Sequence, residues 1–504
     1  MDLNFLDLGI VAIYIALVFM SGILMKKYVT GIGDYLVANR TMGFNLGIVS
    51  MMCTEIGIIT YIYYAELGYK AGFASLIVAF PTMLVYFVLG RTGFIIKPLL
   101  KMKIMTIPEF FSMRFSKGVR FYVGILMAVG GILNFGVFPG VEAKFINTIS
   151  GIPEGYVLYT MVVLLTLVLI YTLLGGMVSV ILTNYIQYVL LSFGMVFITV
   201  YGVYIVGWDN IVDSVVSNLG EKGVNPFFPS MFEGEFGIGF IVWQFLEWTA
   251  LLVAWQAIAL RLFSSKNSKT GMKIYKWSGL MFLSRAILPI FWGIMAFAYL
   301  AEPVAGLDAL PLFIKAITPN GVLGLIFAGL LAASMSTYAS YLLSWSSIVS
   351  QDIIGVIIRY ITKKEISSKR QLFISRLTVA AVMIFIIWWS LSHKLEGYLY
   401  FYLQMTGMLF LPGALVSIGF GIYWKKAQNA GAYLAFTLGA IPPILYLVLS
   451  EEVKNTWASE FGWGGFLLAL IGMLLGSFIQ DFFKQRKVKR ISKNQGFTTT
   501  QAIG

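Results

Sequence analysis

Residues 44–65 read FNLGIVSMMCTEIGIITYIYYA. The run is about 20 residues long and mostly apolar, which is the length that a helix needs to cross roughly 30 Å of hydrocarbon. Its polar part, Cys53-Thr54-Glu55-Ile56-Gly57, contains a glycine. In a bilayer, a helix breaks at such a point only where the break is buried in protein or lines a cavity. The stretch therefore indicates a membrane helix with an internal break.

The composition of the whole chain indicates that a membrane is its solvent. Of its 504 residues, 59% are hydrophobic and only 12% are charged, a balance that no water-soluble domain needs to fill a core. Apolar runs of roughly 20 residues recur between the charge clusters, and they do not alternate as the strands of a β-barrel would. An all-α polytopic membrane protein is therefore predicted.

Cysteine and histidine are too rare for several kinds of site. Cys53 is the one cysteine and His393 the one histidine, so neither a disulfide framework nor a Cys/His metal cluster can be assembled. The carboxylates are scattered along the chain and form no convergent acid-base set, so an enzyme is not expected.

We predict about 13 transmembrane helices, with the basic residues on one side. The spans are residues 5–25, 44–65, 73–96, 121–148, 155–173, 177–207, 236–260, 274–300, 320–356, 372–392, 397–420, 431–449 and 462–480. Most of the 36 Lys and Arg residues then fall in alternate loops, Arg261 among them, which makes these loops cytoplasmic. The expected location is the cell inner (plasma) membrane, with the N-terminus outside and the C-terminus cytoplasmic. The net charge of +13 is thus explained by the loops and not by nucleic acid binding.

Three further stretches differ from an ordinary membrane helix. Pro289 lies in the eighth span, and Gly407 and Pro412-Gly413 lie in the eleventh, where each is a candidate helix break. The ninth span holds Ala332-Ala333-Ser334-Met335-Ser336-Thr337, which is unusually small and rich in hydroxyl groups. The longest polar loop, residues 208–235, is too short for a soluble domain.

Five motifs in chain order resemble those of the sodium:solute symporter family. They are Asp34-Tyr35-Leu36-Val37-Ala38-Asn39-Arg40; Thr106-Ile107-Pro108-Glu109-Phe110-Phe111 with Arg114-Phe115; Tyr171-Thr172-Leu173-Leu174-Gly175-Gly176-Met177 with Thr183-Asn184-Tyr185-Ile186-Gln187; Ser346-Ser347-Ile348-Val349-Ser350-Gln351-Asp352-Ile353; and Thr406-Gly407, Pro412-Gly413 and Tyr423-Trp424-Lys425-Lys426. The resemblance implies a leucine-transporter-type core of two inverted five-helix repeats. The implied units are 1–43, a first extra helix and loop; 44–207 and 208–421, the two five-helix repeats; and 422–504, two further helices and a basic tail.

The resemblance also implies a sodium site. Matched residue by residue, its ligands are the backbone carbonyls of Cys53, Ile56 and Ala333 and the hydroxyl oxygens of Ser336 and Thr337. A dehydrated Na⁺ takes about five or six oxygens, which unwound carbonyls and hydroxyls can supply. Without the resemblance, the small residues of the ninth span would favour close helix packing, with Ser and Thr bonding back to their own helix.

Asn184 departs from the family pattern. Many members carry Asp in the matching Thr-Asp-x-x-Gln segment, and an amide removes the negative charge that a second cation would need. Asn184 is therefore a possible second cation position that has lost its charge, and the alternative is that it serves packing or gating.

Ionisable groups within the hydrocarbon are costly, so each is a functional candidate. Glu55 and Arg285 are the main substrate candidates, and Gln404 falls within a residue of another substrate contact of the family. Trp248, Trp255 and Gln256 of the seventh span are the candidates for a gate, and the alternative for the tryptophans is a place at the membrane interface or in helix packing. An arginine holds a carboxylate by a two-pronged hydrogen bond and Glu55 could receive an ammonium, so an amino acid or a carboxylate is favoured. In the alternative reading, Glu55 and Arg285 pair with each other, or Arg285 reaches the membrane interface.

Three other charged residues are weaker candidates. Glu142 and Lys144 lie near the outer end of the fourth span, where either could reach the interface. Glu247 lies beside Trp248 in the seventh span.

The expected function is Na⁺-coupled symport of a small polar solute into the cell by alternating access. The expected partners are that solute, the sodium ion and the lipid bilayer. A proton-coupled carrier, a channel, and a transport-deficient receptor or sensor on the same scaffold are the alternatives, and the short tail offers a sensor no signalling domain.

Overall fold

The computed structural model describes residues 4–25, 31–232, 234–393 and 398–494, and within these ranges every regular element is a helix. The α-helices are α1 Phe5–Met25, α2 Ile32–Val37, α3 Phe44–Glu55, α4 Ile58–Ala71, α5 Ala79–Thr92, α6 Ile96–Lys101, α7 Ile107–Arg114, α8 Lys117–Gly136, α9 Phe138–Ser150, α10 Val157–Val206, α11 Trp208–Leu219, α12 Ile238–Ala254, α13 Gln256–Ser264, α14 Ser268–Tyr299, α15 Gly306–Ile317, α16 Val322–Ile348, α17 Gly355–Thr362, α18 Ser368–Ser392, α19 Leu399–Met408, α20 Leu411–Tyr423, α21 Asn429–Gly439, α22 Ile441–Val448 and α23 Glu451–Asn494. The prediction of an all-α protein is confirmed.

Many of these helices suit a membrane. In the part of the chain that the structure describes, eight helical runs are long and apolar enough to cross one, or ten if each of two bent helix pairs is one span. Two shorter apolar helices, Phe5–Val18 and Glu154–Ile170, fall below that length. The chain is a multi-pass membrane protein, whereas the number of 13 spans, the orientation of the termini and the four sequence units stay predictions.

Three helix breaks organise the fold. α3 ends at Glu55 and α4 begins at Ile58, so the chain leaves the helix at Ile56 and Gly57. α12 and α13 meet at Trp255 with a bend of 51°, and α19 and α20 meet with a bend of 42°. The first and third breaks agree with the predicted ones, whereas no proline or glycine in the sequence marks the break at Trp255.

Pro289 does not interrupt its helix, so the prediction of a break in the eighth span is wrong. α14 runs through this residue from Ser268 to Tyr299. Proline lacks the N–H that would bond to the carbonyl of Arg285, four residues earlier, so one backbone hydrogen bond of the helix is missing there. The helix continues because it packs along both α4 and α5, which support it across the missing hydrogen bond.

Two charged residues lie deeper than predicted. Arg261 belongs to α13 and is fully buried, so its assignment to a cytoplasmic loop is wrong. Glu142 is fully buried in α9 and does not reach the interface. Lys144 is partly exposed and pairs with Asp308 at 3.1 Å. Since two residues on a helix turn through about 200°, Glu142 and Lys144 face different surroundings.

α4 and α14 approach each other through two glycines. A Cβ on Gly68 would lie 1.9 Å from the Ile290 carbonyl oxygen, and a Cβ on Gly293 would lie 1.9 Å from the Ala65 carbonyl oxygen. Small residues permit this close contact between membrane helices. The contact holds α14, and with it Arg285, against α4.

We expect Gly293→Ala to lower the thermal midpoint of the purified protein in detergent, because the added methyl group overpacks this contact at a cost of about 1–3 kcal/mol. Gly194→Ala in α10 is the matched control, since a Cβ there has nothing within 4 Å. The control should keep or raise the midpoint, because alanine is about 1 kcal/mol better than glycine within a helix. Equal midpoints for the two variants would contradict the close contact.

Candidate functional site

The break between α3 and α4 turns backbone carbonyls out of the helix, because the last four carbonyls of a helix have no partner within it. The Cys53 carbonyl accepts a hydrogen bond from Ser336 Oγ at 2.8 Å, and the Glu55 carbonyl accepts one from Arg285 Nε at 2.6 Å. Thr60 Oγ1 also donates to the Glu55 carbonyl, at 3.0 Å. Side chains from α16, α14 and α4 thus converge on the break.

Two adjacent hydroxyl groups of α16 face this break. Ser336 Oγ lies 2.8 Å from the carbonyl oxygen of Cys53 and 2.9 Å from that of Ala333. Thr337 Oγ1 is buried and has no hydrogen-bond partner among the described residues. A Cβ built on Gly57 would lie 2.8 Å from Thr337 Oγ1, so this hydroxyl rests against the backbone of the break.

Ile56 completes the set of residues that the sequence predicts to bind a cation. It is buried in the break, with extended φ and ψ of −111° and 93°. A site built from carbonyl and hydroxyl oxygens suits a hard cation, whereas transition metals favour nitrogen and sulfur ligands. Within the described residues, no group of three or more His, Cys, Asp or Glu side chains could hold a metal ion.

Arg285 projects from α14 into the same region and is buried, so the reading in which it reaches the membrane interface is wrong. Its Nη2 donates to the Tyr63 hydroxyl at 3.0 Å, beside the bond from Nε to the Glu55 carbonyl. The rings of Trp248 and Phe282 lie 5.7 and 5.1 Å from the guanidinium carbon, within cation–π distance. The positively charged guanidinium also lies at the C-terminus of α3, the negative end of that helix dipole.

The side chain of Glu55 is not paired with that of Arg285. The guanidinium binds the backbone carbonyl of Glu55, and across the described ranges no ion pair under 4.0 Å joins the two side chains. Glu55 Oε1 is buried and accepts no hydrogen bond from any described residue. An unpaired buried carboxylate oxygen is costly, so this atom is a candidate for a ligand contact.

A cavity beside the break brings the predicted substrate residues together. Its walls include Glu55, Trp248, Trp255, Arg285 and Gln404. The cavity volume is about 70 Å³, well below the roughly 300–1,000 Å³ of typical ligand pockets, so the walls lie close together in this conformation. Thr337 also lines the cavity, so the oxygen cluster and the cavity share a wall.

Glu247 is a second carboxylate of this cavity. From its sequence position beside Trp248, this residue is only a weaker candidate. It is buried in α12 and faces the amide of Gln404. With the amide nitrogen turned toward the carboxylate, this nitrogen lies 3.2 Å from Glu247 Oε2. The Tyr400 hydroxyl donates to Gln244 Oε1 nearby, at 2.7 Å. The sequence already marks Glu247 as a candidate, since a carboxylate inside an apolar run is a functional candidate by default.

The two predicted gate tryptophans have different surroundings. Trp248 covers Arg285, whereas Trp255 lies at the break between α12 and α13. Trp255 Nε1 donates to the Tyr341 hydroxyl at 3.2 Å, and its ring stacks on Phe410 with the centroids 5.8 Å apart. Because Phe410 lies between α19 and α20, this contact joins two of the three breaks.

Comparison with known proteins agrees with this geometry. The family model described as Sodium:solute symporter family matches residues 35–439. The chain belongs to the sodium:solute symporter family. The symporter is 25% identical over 481 residues to the sodium/glucose cotransporter of Vibrio parahaemolyticus, with 88% of this chain and 85% of that protein covered. It is 26% identical over 396 residues to the osmoregulated proline transporter OpuE of Bacillus subtilis (strain 168), with 74% of each covered.

The fold of the symporter matches that of a solved relative. The structure of a Na⁺-coupled sialic acid symporter in a substrate-bound outward-open state has a TM-score of 0.77 at 19% identity, covering 95% of this chain and 98% of that one. The predicted leucine-transporter-type fold is thus confirmed. The symporter is a membrane transporter that couples sodium to a small-molecule substrate, and it is not an enzyme.

Asn184, the possible second cation position, lies in α10 directly behind the break. Its Nδ2 donates to Ser50 Oγ at 3.1 Å, and its carbonyl accepts a hydrogen bond from Cys53 Sγ at 3.2 Å. Its Oδ1 is buried and has no hydrogen-bond partner in the described part of the chain. The buried Arg261 of α13 donates a hydrogen bond to Ser340 Oγ of α16.

We expect Asn184→Asp to let the symporter bind a second sodium ion, because a carboxylate in place of the amide supplies the charge that the position lacks. Equilibrium binding of radioactive sodium to the purified protein gives the stoichiometry. Asn147→Asp in α9 is the control, since Asn147 is also buried but hydrogen-bonds to Thr160 and Pro153, away from the break. An unchanged stoichiometry in Asn184→Asp would leave Asn184 as a packing residue.

Proposed function

We propose that this symporter uses one sodium ion to drive a small carboxylate-bearing solute, an amino acid or a simple carboxylic acid, into the cell by alternating access. The proposed sodium ligands are the carbonyls of Cys53, Ile56 and Ala333 and the hydroxyls of Ser336 and Thr337. The observation that carries the substrate proposal is the Arg285 guanidinium, which lines the cavity with several N–H groups unused.

The chemistry of the oxygen cluster supports the sodium site. Carbonyl and hydroxyl oxygens can replace the water shell of Na⁺ at a helix break. The Thr337 hydroxyl offers a lone pair without losing a hydrogen bond to any described residue. Ser336 Oγ already lies against two of the proposed carbonyls, and the hydroxyl needs only to turn its proton away to accept the ion.

A sodium ion held by these ligands would tie the α3–α4 break to α16. Because Thr337 also lines the cavity, fixing the break fixes one wall of the substrate site. Sodium and substrate then stabilise the same conformation, and by linkage each raises the affinity for the other. Separation of α16 from the break would weaken both sites together, which is the step that releases ion and solute into the cell.

Arg285 has the chemistry of a carboxylate receptor. A guanidinium carries five N–H donors, of which Arg285 uses two, for the Glu55 carbonyl and the Tyr63 hydroxyl. These bonds and the neighbouring rings hold its plane in place, so the remaining donors can bind a carboxylate in a two-pronged geometry without further ordering of the side chain.

The two carboxylates of the cavity offer partners for an ammonium group. Glu55 has an unpartnered oxygen, and Glu247 forms no ion pair under 4.0 Å within residues 4–25, 31–232, 234–393 and 398–494. Two carboxylates and one guanidinium favour a substrate with a cationic nitrogen beside its carboxylate, as in an amino acid. The proline transporter is named for such a zwitterion, and sialic acid carries a carboxylate, whereas glucose carries neither charge.

The substrate class is tested by sodium-driven uptake into proteoliposomes. We expect L-proline, L-alanine or sialic acid to accumulate under a sodium gradient and D-glucose and myo-inositol to stay outside, because only the first three engage Arg285. Uptake of a neutral sugar or polyol without uptake of any carboxylate would refute the proposal.

Arg285→Gln should raise the half-saturating concentration of the transported carboxylate by about ten- to a hundredfold, since it removes a charge-assisted hydrogen bond. Sodium affinity measured without substrate should change little, because the charge is assigned to the substrate. Arg285→Lys is the matched variant: it keeps the charge but lacks the planar fork, so it should restore uptake only in part. Uptake by Arg285→Gln with the affinity of the parent would exclude this residue from the site.

Ser336→Ala and Thr337→Ala should each raise the half-saturating sodium concentration by about ten- to a hundredfold, because each deletes one ligand of the ion. Sodium titration of uptake, at constant ionic strength with choline chloride, measures this concentration.

Two controls separate ligands from packing residues. Cys53→Ala should change little, because any residue supplies the same carbonyl. Ser344→Ala removes a buried hydroxyl of α16 that only bonds back to Ser340 of its own helix. If Ser336→Ala and Thr337→Ala titrate like Ser344→Ala, the assignment of sodium to α16 is wrong.

A further inference from the structure

Glu142 is a fully buried carboxylate that neither the cavity nor the proposed sodium ligands use. Its Oε1 accepts a hydrogen bond from the backbone N–H of Ile59 at 3.1 Å, and its Oε2 accepts one from the hydroxyl of Ser334. Among the described residues, no Lys or Arg forms an ion pair with it under 4.0 Å. The carboxylate is therefore held by neutral donors alone.

These two donors belong to the two elements that meet at the proposed sodium site. Ile59 lies in the first turn of α4, two residues after Gly57, and its N–H is one of the unpaired donors at the start of that helix. Ser334 lies in α16, directly after Ala333 and two residues before Ser336. Glu142 thus connects the start of α4, after the break, to the segment of α16 that carries the Ser336 and Thr337 hydroxyls.

The position of the carboxylate also has an electrostatic consequence. The proposed ligands are all neutral, so a sodium ion would bring an uncompensated positive charge into a low-dielectric region. The Glu142 carboxylate accepts hydrogen bonds from Ser334, one residue after Ala333, and from Ile59, two residues after Gly57 of the break. Its negative charge would therefore lie near the proposed ion. The carboxylate also lies at the start of α4, where its negative charge interacts favourably with the positive end of the helix dipole. This interaction stabilises the half-helix after the break.

We propose that Glu142 is a positioning residue of the sodium site: it holds the start of α4 against α16, and its negative charge raises sodium affinity from outside the set of ligands. Both of its oxygens already accept hydrogen bonds from an N–H and an O–H donor, which is why it is assigned a neighbouring place and not direct ligation. The proposal rests on the sodium ligands proposed above and is independent of the identity of the solute.

The test is sodium-dependent thermal stabilisation of the purified full-length protein in detergent, with choline chloride keeping the ionic strength constant and no solute present. Glu142→Gln keeps the shape and an acceptor for Ile59 but removes the charge. It should raise the half-saturating sodium concentration by about tenfold, which corresponds to about 1.4 kcal/mol. Glu142→Asp, which keeps the charge, should lie between the parent and Glu142→Gln.

Two further variants keep the test decisive if Glu142→Gln does not fold. Ser334→Ala removes only the hydrogen bond to Oε2 and should shift the sodium titration in the same direction by about threefold. Glu66→Gln is the control, because Glu66 is also a buried carboxylate that accepts a backbone N–H, from Leu399, but it pairs with Lys70 at 2.6 Å and lies more than two turns of α4 beyond the break. The half-saturating sodium concentration of Glu66→Gln should stay within about twofold of that of the parent.

Ser336→Ala separates the failure of this proposal from the failure of the site itself. If Ser336→Ala shifts the titration while Glu142→Gln and Ser334→Ala do not, the role of Glu142 is refuted and the sodium site stands. If Ser336→Ala leaves the titration unchanged, the sodium ligands are wrong and Glu142 has no site to position. A larger shift of the sodium titration in Glu142→Asp than in Glu142→Gln would also overturn the proposal, because the charge would then not be what matters. The loss of a bound sodium ion from Glu142→Gln would overturn it in favour of direct ligation.

Discussion

Every backbone carbonyl in the hydrocarbon of a membrane needs a partner, and the carbonyls released where α3 ends govern the centre of this symporter. The Cys53 carbonyl is taken by Ser336 of α16, and the Glu55 carbonyl is taken by Arg285 of α14. Each contact satisfies a carbonyl that the break leaves unpaired, and each draws a distant helix to α3. The oxygen cluster and the cavity lie on the two sides of the same break for this reason.

The break separates two kinds of chemistry. On the side of α16, neutral oxygens lie close together, as a dehydrated alkali cation requires. On the side of α14 and α12, the cavity carries the charges of Glu55, Glu247 and Arg285 among aromatic rings. Thr337 belongs to both sides, so in the proposed assignment a change at the ion would reach the solute through this one residue.

The sequence predicted the residues of the centre better than their partners. A polar patch with a glycine in an apolar run marks a helix break, because both features weaken a helix that lipid would otherwise enforce. The same local reasoning failed for Pro289, where packing by α4 and α5 keeps the helix continuous. It also failed for Arg261 and Glu142, because a position along a span does not tell which face of the helix meets protein.

By itself, the sequence determined that this is an all-helical membrane protein with a break at residues 56–57, because hydropathy, span length and helix breakers act over a few neighbouring residues. That it is a transporter followed from its resemblance to the sodium:solute symporter family. Only the tertiary structure decided the partners, since Ser336 lies 283 positions from Cys53 and Arg285 lies 230 positions from Glu55. It made Arg285 a partner of a backbone carbonyl instead of a carboxylate, brought Glu247 into the cavity, and buried Glu142 between α4 and α16. Such contacts depend on how whole helices pack, and no local pattern of residues encodes the distance between them.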